Sequence, residues 1–211
     1  MDRTMGMLVI ISGPSGSGKG TVVKKLDPDM GYAVSTSVTT RNPRVGEVNG
    51  KDYFFISEEE FVKMREEHQL LEHFAYVGNY YGTPKPYVER QIAEGKIVVL
   101  EIEVNGALQV KEKFPDAVLV FLMPPTFTEL ERRLVNRGTE NAVTIEDRLK
   151  KSLEEIPLID QYDYLVINDE VARAVAKVDA LVMAERLKPV RNQQTIKDFA
   201  SSQVKMEHYK L

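Results

Sequence analysis

Short, continuous apolar runs alternate along the chain with longer segments in which apolar residues return every three or four positions. The first run, 8–12, is rich in β-branched residues and bounded by glycine, the pattern of a strand buried on both faces. Runs of the same kind fall at 97–104, 117–123 and 164–167. Helical patterns separate them. TVVKKLDP, after the first run, reads as a helix stopped at Pro28. Residues 87–94 carry apolar side chains at 88 and 92 and end at Gly95, a capping glycine. Thr126 and Glu129 have the spacing of a capping box ahead of Leu130 and Leu134. Ile145, Leu149, Leu153 and Ile156 recur at helical spacing up to Pro157, and Val171, Val175, Val178 and Val182 do so ahead of Pro189. Such alternation predicts an α/β fold, a mostly parallel sheet flanked by helices.

One stretch departs from the pattern. From 35 to about 82 the chain is polar, aromatic and turn-rich, with Asn42-Pro43 and Asn49-Gly50, and it holds one helix opened by the box Ser57-x-x-Glu60. It reads as a small antiparallel insertion. The expected layout is a core of 1–34 and 95–190, with a lid at about 138–156, an insertion over 35–94, and a C-terminal extension, 191–211, that is an appended helix or a loose tail.

Composition narrows the chemistry. At 211 residues, 43% hydrophobic and 28% charged, the chain is a folded domain of ordinary size. It has no cysteine, which excludes disulfides, thiolate metal sites and thiol nucleophiles. His68, His73 and His208 are too scattered for a histidine metal cluster. A net charge of −4 argues against non-specific nucleic-acid binding. The apolar run near the N-terminus is too short for a signal peptide or a membrane span, so a cytoplasmic location and no membrane partner are expected.

The first strand runs into Gly13-Pro14-Ser15-Gly16-Ser17-Gly18-Lys19-Gly20, which opens a helix. Gly13-x-x-x-x-Gly18-Lys19 between a strand and a helix is a phosphate loop: glycines let backbone N–H groups face a phosphate, and Lys19 neutralises its outer oxygens. The position after the lysine commonly carries Ser or Thr for Mg²⁺; here it is Gly20, so Thr21 or water takes that place. The insertion adds a second anionic site. Arg41 and Arg44 flank Pro43 and can fork a dianion such as a monophosphate. Tyr53 and Tyr81 add hydroxyls and a stacking face, and Ser37 and Thr83 add small hydroxyls. Glu72 can accept from two N–H groups at once, which guanine offers and adenine does not.

The strings STSVTTRNPRVGEVNGKDYFF, LLEHFAYVGNYYGT, LEIEVNGALQVKEKFPDA and RLVNRGTE, in that order, resemble the guanylate kinase family over about 8–187. The resemblance implies a phosphate-loop NTPase-type sheet with an inserted monophosphate-binding subdomain and a small lid. It implies transfer of the γ-phosphoryl group of ATP to GMP or dGMP, with Mg²⁺. Ser37, Arg41, Arg44, Tyr53 and Tyr81 are then ligands of the GMP phosphate, and Glu72 and Thr83 read guanine. Glu101 falls where the family has an aspartate near the guanine amino group, and Glu103 where it has one near the metal. Lys19, Arg137 and Arg148 gather at the transferred group, with Arg133 as helper and Asn168 near adenine. Both aspartates are glutamates here, and a strand over 97–104 would put them on one face. Lys19, Arg41, Arg44, Arg137, Arg148 and Mg²⁺ are the cations expected to cancel the charge of the two substrates, and no general base is needed. Closure of a polar flap, 138–147, would exclude water. Two alternatives stand beside this: a kinase of the same fold with another phosphorylated acceptor, and a non-catalytic binding module. The oligomeric state is not readable from the chain.

Overall fold

The structure, a computed structural model, describes residues 5–76, 78–136 and 142–202. Its elements run β1 (Met7–Ser12), α1 (Lys19–Val23), β2 (Tyr32–Val34), β3 (Val38–Thr39), β4 (Phe54–Phe55), α2 (Glu58–Glu66), β5 (Leu70–Tyr76), β6 (Asn79–Pro84), α3 (Lys85–Ala93) and β7 (Ile97–Glu101). They continue with α4 (Val104–Lys113), β8 (Val118–Met123), α5 (Phe127–Val135), α6 (Ala142–Glu155), β9 (Tyr164–Ile167), α7 (Val171–Arg186) and α8 (Gln193–Ser202).

The main sheet has the order β2-β7-β1-β8-β9, every neighbouring pair parallel. The alternation of β1 explains the layering. Met7, Val9 and Ile11 join one buried cluster with Val22 of α1 and Val178 and Val182 of α7. Leu8 and Ile10 join another with Val88 of α3 and Ala107 and Val110 of α4. Both faces of the sheet are therefore covered, which is why its strands read as continuous apolar runs. Each such aliphatic side chain, fully buried, contributes about 1.5–3 kcal/mol. In open parallel sheets of this kind, ligands sit beyond the carboxyl ends of the strands, and β1 delivers its glycine loop there.

The second sheet, β4-β3-β6-β5, lies in the insertion. β3 and β5 both pair antiparallel with β6, as expected, whereas β3 and β4 pair in parallel. Val38, Phe61 and Leu70 form its own small core. Ser57 and Glu60 make a complete capping box, each side chain bound to the other's backbone N–H.

Four expectations are corrected. The helix after the phosphate loop stops at Val23, well before Pro28: the N–H groups of Lys25 and Leu26 reach back only three residues, to Val22 and Val23, closing tight turns. Pro28 opens a 3₁₀ turn instead. The 97–104 strand ends at Glu101; Glu103 caps α4, its carbonyl accepting from Ala107 N–H at 2.9 Å. The two glutamates are thus not partners on one strand face. A further strand, β2, lies at the edge of the main sheet, too short to make an apolar run. Finally, Thr126 caps α5 through Glu129 N–H, but the Glu129 carboxylate turns to Arg132 and Arg133 and the box is left half made.

Candidate active site

Gly18 precedes α1 with φ 91°, in the left-handed region, and a Cβ there would stand 2.5 Å from Asn168 Nδ2. Only glycine meets both demands. Behind the loop, Asn168 Nδ2 donates to the Ser17 carbonyl at 2.8 Å, and Arg133 donates to the Ser17 and Asn168 carbonyls at 3.3 and 2.8 Å. Asn168 is buried, and neither residue lines the cavity in front of the loop. Pro14 and Ser17 likewise stay off that surface. In front, Lys19 Nζ donates to the Gly13 and Pro14 carbonyls at 2.6 and 3.2 Å, and Arg148 donates to Ser15 Oγ at 3.1 Å. Gly20 lines the cavity; Thr21, the metal candidate, is exposed on α1 and does not. Arg137 and the start of the expected flap lie outside the described residues, and the chain is helical from Ala142.

The insertion brings an arginine–tyrosine cluster to the same cavity. The Arg41 guanidinium bonds both carboxylate oxygens of Glu47 at 2.9 Å and the Asn42 carbonyl at 2.7 Å. It lies 5.6 Å from the Tyr53 ring centre and 5.8 Å from that of Phe55. The Tyr53 and Tyr81 rings meet edge-on at 6.0 Å. Glu47 also accepts from Arg44 N–H at 2.7 Å. Burial alone would raise the Glu47 carboxyl, but the hydrogen bonds from Arg44 and Arg41 win and hold it below the usual range. Burial works against the Arg41 charge, yet Glu47 and Tyr81 outweigh it and raise its pKa. Ser37, Arg41, Arg44, Tyr53 and Tyr81 all line the same cavity as the phosphate loop. Glu47, which the sequence reading overlooked, completes this constellation; its signal was an acid in the same turn, three residues beyond Arg44.

Glu72 is 1% exposed. One oxygen accepts from Thr83 Oγ at 2.7 Å, the buried Oε2 has no hydrogen-bond partner among the described residues, and the residue lines the cavity. Burial pushes its carboxyl up to about 7, against the Thr83 hydrogen bond and the nearby Lys113, and with a smaller push from Glu103. Thr83 sits buried behind Glu72 and does not itself line the cavity.

The two remaining glutamates, Glu101 and Glu103, both line the cavity. The Glu101 carboxylate is 3.1 Å from where a Cβ of Gly20 would be, so it stands at the phosphate loop. Glu103 lies one turn before Gly106, where an added Cβ would stand 3.0 Å from Glu72 Oε2, and Glu103 acts electrostatically on Glu72. The strand ends at Glu101, and the chain turns there into α4, with Glu103 at its N-terminus. Glu103 accepts from Lys151 Nζ at 2.5 Å, and Lys151 also lies 4.0 Å from the buried Glu155, both unanticipated. Burial raises the Glu155 carboxyl, opposed by Lys151 and Lys19.

One cavity of about 660 Å³ therefore joins a phosphate loop, an arginine–tyrosine cluster and a buried carboxylate. A parallel α/β sheet with these features defines a phosphotransferase of the nucleoside monophosphate kinase class. Comparison with known proteins gives the particular family. A guanylate kinase family model matches residues 5–185. The guanylate kinase of Bacillus subtilis (strain 168) is 52% identical over 191 residues, which cover 90% of this chain and 94% of that protein. That of Lactococcus lactis subsp. lactis (strain IL1403) is 53% identical over 184 residues, 87% of this chain and 90% of that one. The crystal structure of guanylate kinase from Anaplasma phagocytophilum superposes with a TM-score of 0.75 at 32% identity, covering 90% of this chain and 92% of that one. The chain belongs to the guanylate kinase family. Among the described residues no helix is long and apolar enough to cross a membrane.

Proposed function

We propose that the chain transfers the γ-phosphoryl group of ATP to GMP, and to dGMP, giving ADP and GDP or dGDP. The observation that carries this reading is Glu72, which lines the same cavity as the phosphate loop and whose buried Oε2 has no hydrogen-bond partner among the described residues. A guanine edge brings two N–H donors to such a carboxylate; adenine would leave it unsatisfied, at a cost of about 1–3 kcal/mol. Thr83 holds Glu72 in place, and the charge of Glu103 acts on it. Arg41, Arg44, Tyr53, Tyr81 and Ser37 take the monophosphate, with Arg41 preset by Glu47.

Two highly charged substrates meet here, so the chemistry is positioning and charge cancellation rather than proton transfer. Lys19 and Arg148 lie at the loop, Arg41 and Arg44 at the opposite wall, and the transferred group passes between them. No general base is required. Arg133 and Asn168 act by holding the Ser17 carbonyl, and so the loop. The donor set also suits Mg²⁺: a single carboxylate, Glu101, stands beside Gly20, and no cluster of three acid or histidine ligands exists among the described residues. That matches an ion bound mainly through nucleotide phosphates and water. Bound with ATP, it would supply charge neutralisation, and Glu101 is the residue placed to hold it.

The test is ADP release from MgATP with GMP, dGMP, AMP, CMP and UMP offered in turn. Turnover confined to guanine acceptors is expected. A non-guanine acceptor turned over equally well would move the reading to a neighbouring kinase, and no turnover at all would leave a binding module.

A further inference from the structure

Helix α6 presents Arg148, Lys151, Ser152 and Glu155 to the cavity, spacings of three, one and three that place them on one helix face. Two of them reach across to different walls. Arg148 donates to Ser15 Oγ in the phosphate loop at 3.1 Å. Lys151, one turn later, donates to Glu103 Oε2 at 2.5 Å, at the N-terminus of α4. Glu103 acts electrostatically on Glu72, the proposed guanine reader. One helix is therefore pinned at the ATP side by one cation and at the base side by another. Its neighbour Lys150 points to solvent and pairs with Glu146 on the same helix at 2.7 Å, so cavity contact is specific to Lys151.

We propose that Lys151 is a positioning residue that ties the base-side carboxylate Glu103 to α6, coupling acceptor recognition to the placement of Arg148 at the phosphate loop. The inference rests on the functional reading above and adds a residue to it. The ammonium does two things at once. It fixes the direction of the Glu103 carboxylate, since a charge-assisted hydrogen bond of this length is strong and directional. It also screens Glu103 from Glu155, the other carboxylate it lies near, at 4.0 Å. An acceptor base that draws on Glu103 acts through this link on the helix that carries Arg148.

Initial-rate kinetics of the full chain, with GMP and ATP varied separately, test it. Lys151→Met is expected to raise KM for GMP and lower kcat, each roughly fivefold, the scale of a partly exposed ion pair. Lys151→Arg should recover most of both, and Lys150→Met should match the parent. In a double-mutant cycle, Lys151→Met and Glu103→Gln should be non-additive, because each breaks the same link. Parental kinetics in Lys151→Met, with or without a lower melting temperature, would overturn the proposal, as would strict additivity. A parent that fails to turn over GMP removes the functional reading and this inference with it. An active parent with a silent Lys151→Met removes this inference alone.

Discussion

Gly20 and Glu101 share one space: a Cβ on Gly20 would stand 3.1 Å from Oε1 and 3.2 Å from Oε2 of Glu101. The missing side chain after Lys19 and the long acid on β7 are thus two halves of one arrangement. Gly20→Ala is expected to push the carboxylate by a few tenths of an ångström, lowering kcat and raising the Mg²⁺ concentration for half activity. Glu101→Asp shortens the acid and should cost activity alone, yet relieve the crowding in the double variant. The coupling should reach about 0.5–3 kcal/mol in a cycle on kcat. Simple addition of the two losses would show the positions to be independent.

Glu72 carries a pH signature. Its carboxyl is raised to about 7 in the fold, above the ordinary value of 4.5, with Thr83, Lys113 and Glu103 as its polar surroundings. Between those two values the unfolded chain has released a proton that the native state keeps. Stability from this group is therefore full below about 4.5, declines as pH rises and levels off above about 7. Guanine binding runs the other way, because only the ionised carboxylate accepts from two N–H groups. KM for GMP should fall as pH rises from 6 to 8, while Glu72→Gln flattens that profile and loses about 1–3 kcal/mol of guanine over adenine discrimination. Unchanged base preference in Glu72→Gln would remove the role given to it.

What the sequence announces is local. The apolar runs of β1 and β8, the glycine spacing of 13–19 and the Ser57 box each rest on neighbours a few residues apart, and each forms as read. What it hides depends on distant parts of the chain. Ile102 and Val104 extend the β-branched run of β7, so the turn into α4 is invisible until tertiary packing buries Val104 at the helix start. The expected placement of Glu101 and Glu103 on one strand face fails for that reason. Glu47 and Lys151 look like ordinary surface charges in a chain that is 28% charged; only the fold shows what they touch. Asn168 and Arg133, placed by resemblance at the nucleotide, spend their donors on the back of the loop.

Arg41 owes its direction to Glu47, which also holds Arg44 N–H and so fixes the turn bearing both arginines. Glu47→Gln keeps the shape and removes the charge. A carboxylate near a bound phosphate is repulsive, but a guanidinium left to wander loses more, since hydrogen bonds to charged groups contribute about 1.5–3 kcal/mol. KM for GMP should rise by about tenfold or more, with KM for ATP unmoved. Arg41→Lys should do at least as much, because an ammonium cannot span Glu47 and the Asn42 carbonyl while lying over Tyr53. A lower KM for GMP in Glu47→Gln would mean that repulsion dominates and the arginine needs no guide.

Asn168 sits against Gly18 and gives Ser17 its shorter hydrogen bond, 2.8 Å against 3.3 Å from Arg133. Asn168→Ala leaves that buried carbonyl with the poorer donor and opens space beside a glycine held at φ 91°. Both effects loosen the loop from behind. Stability should drop by about 1–3 kcal/mol, read as a lower urea midpoint with the slope unchanged. In the folded variant KM for ATP should rise while KM for GMP stays at the parent value, because the acceptor wall is untouched. A shift in KM for GMP of the same size would show that the loop and the opposite wall move together, and that Asn168 serves the whole cavity rather than the loop alone.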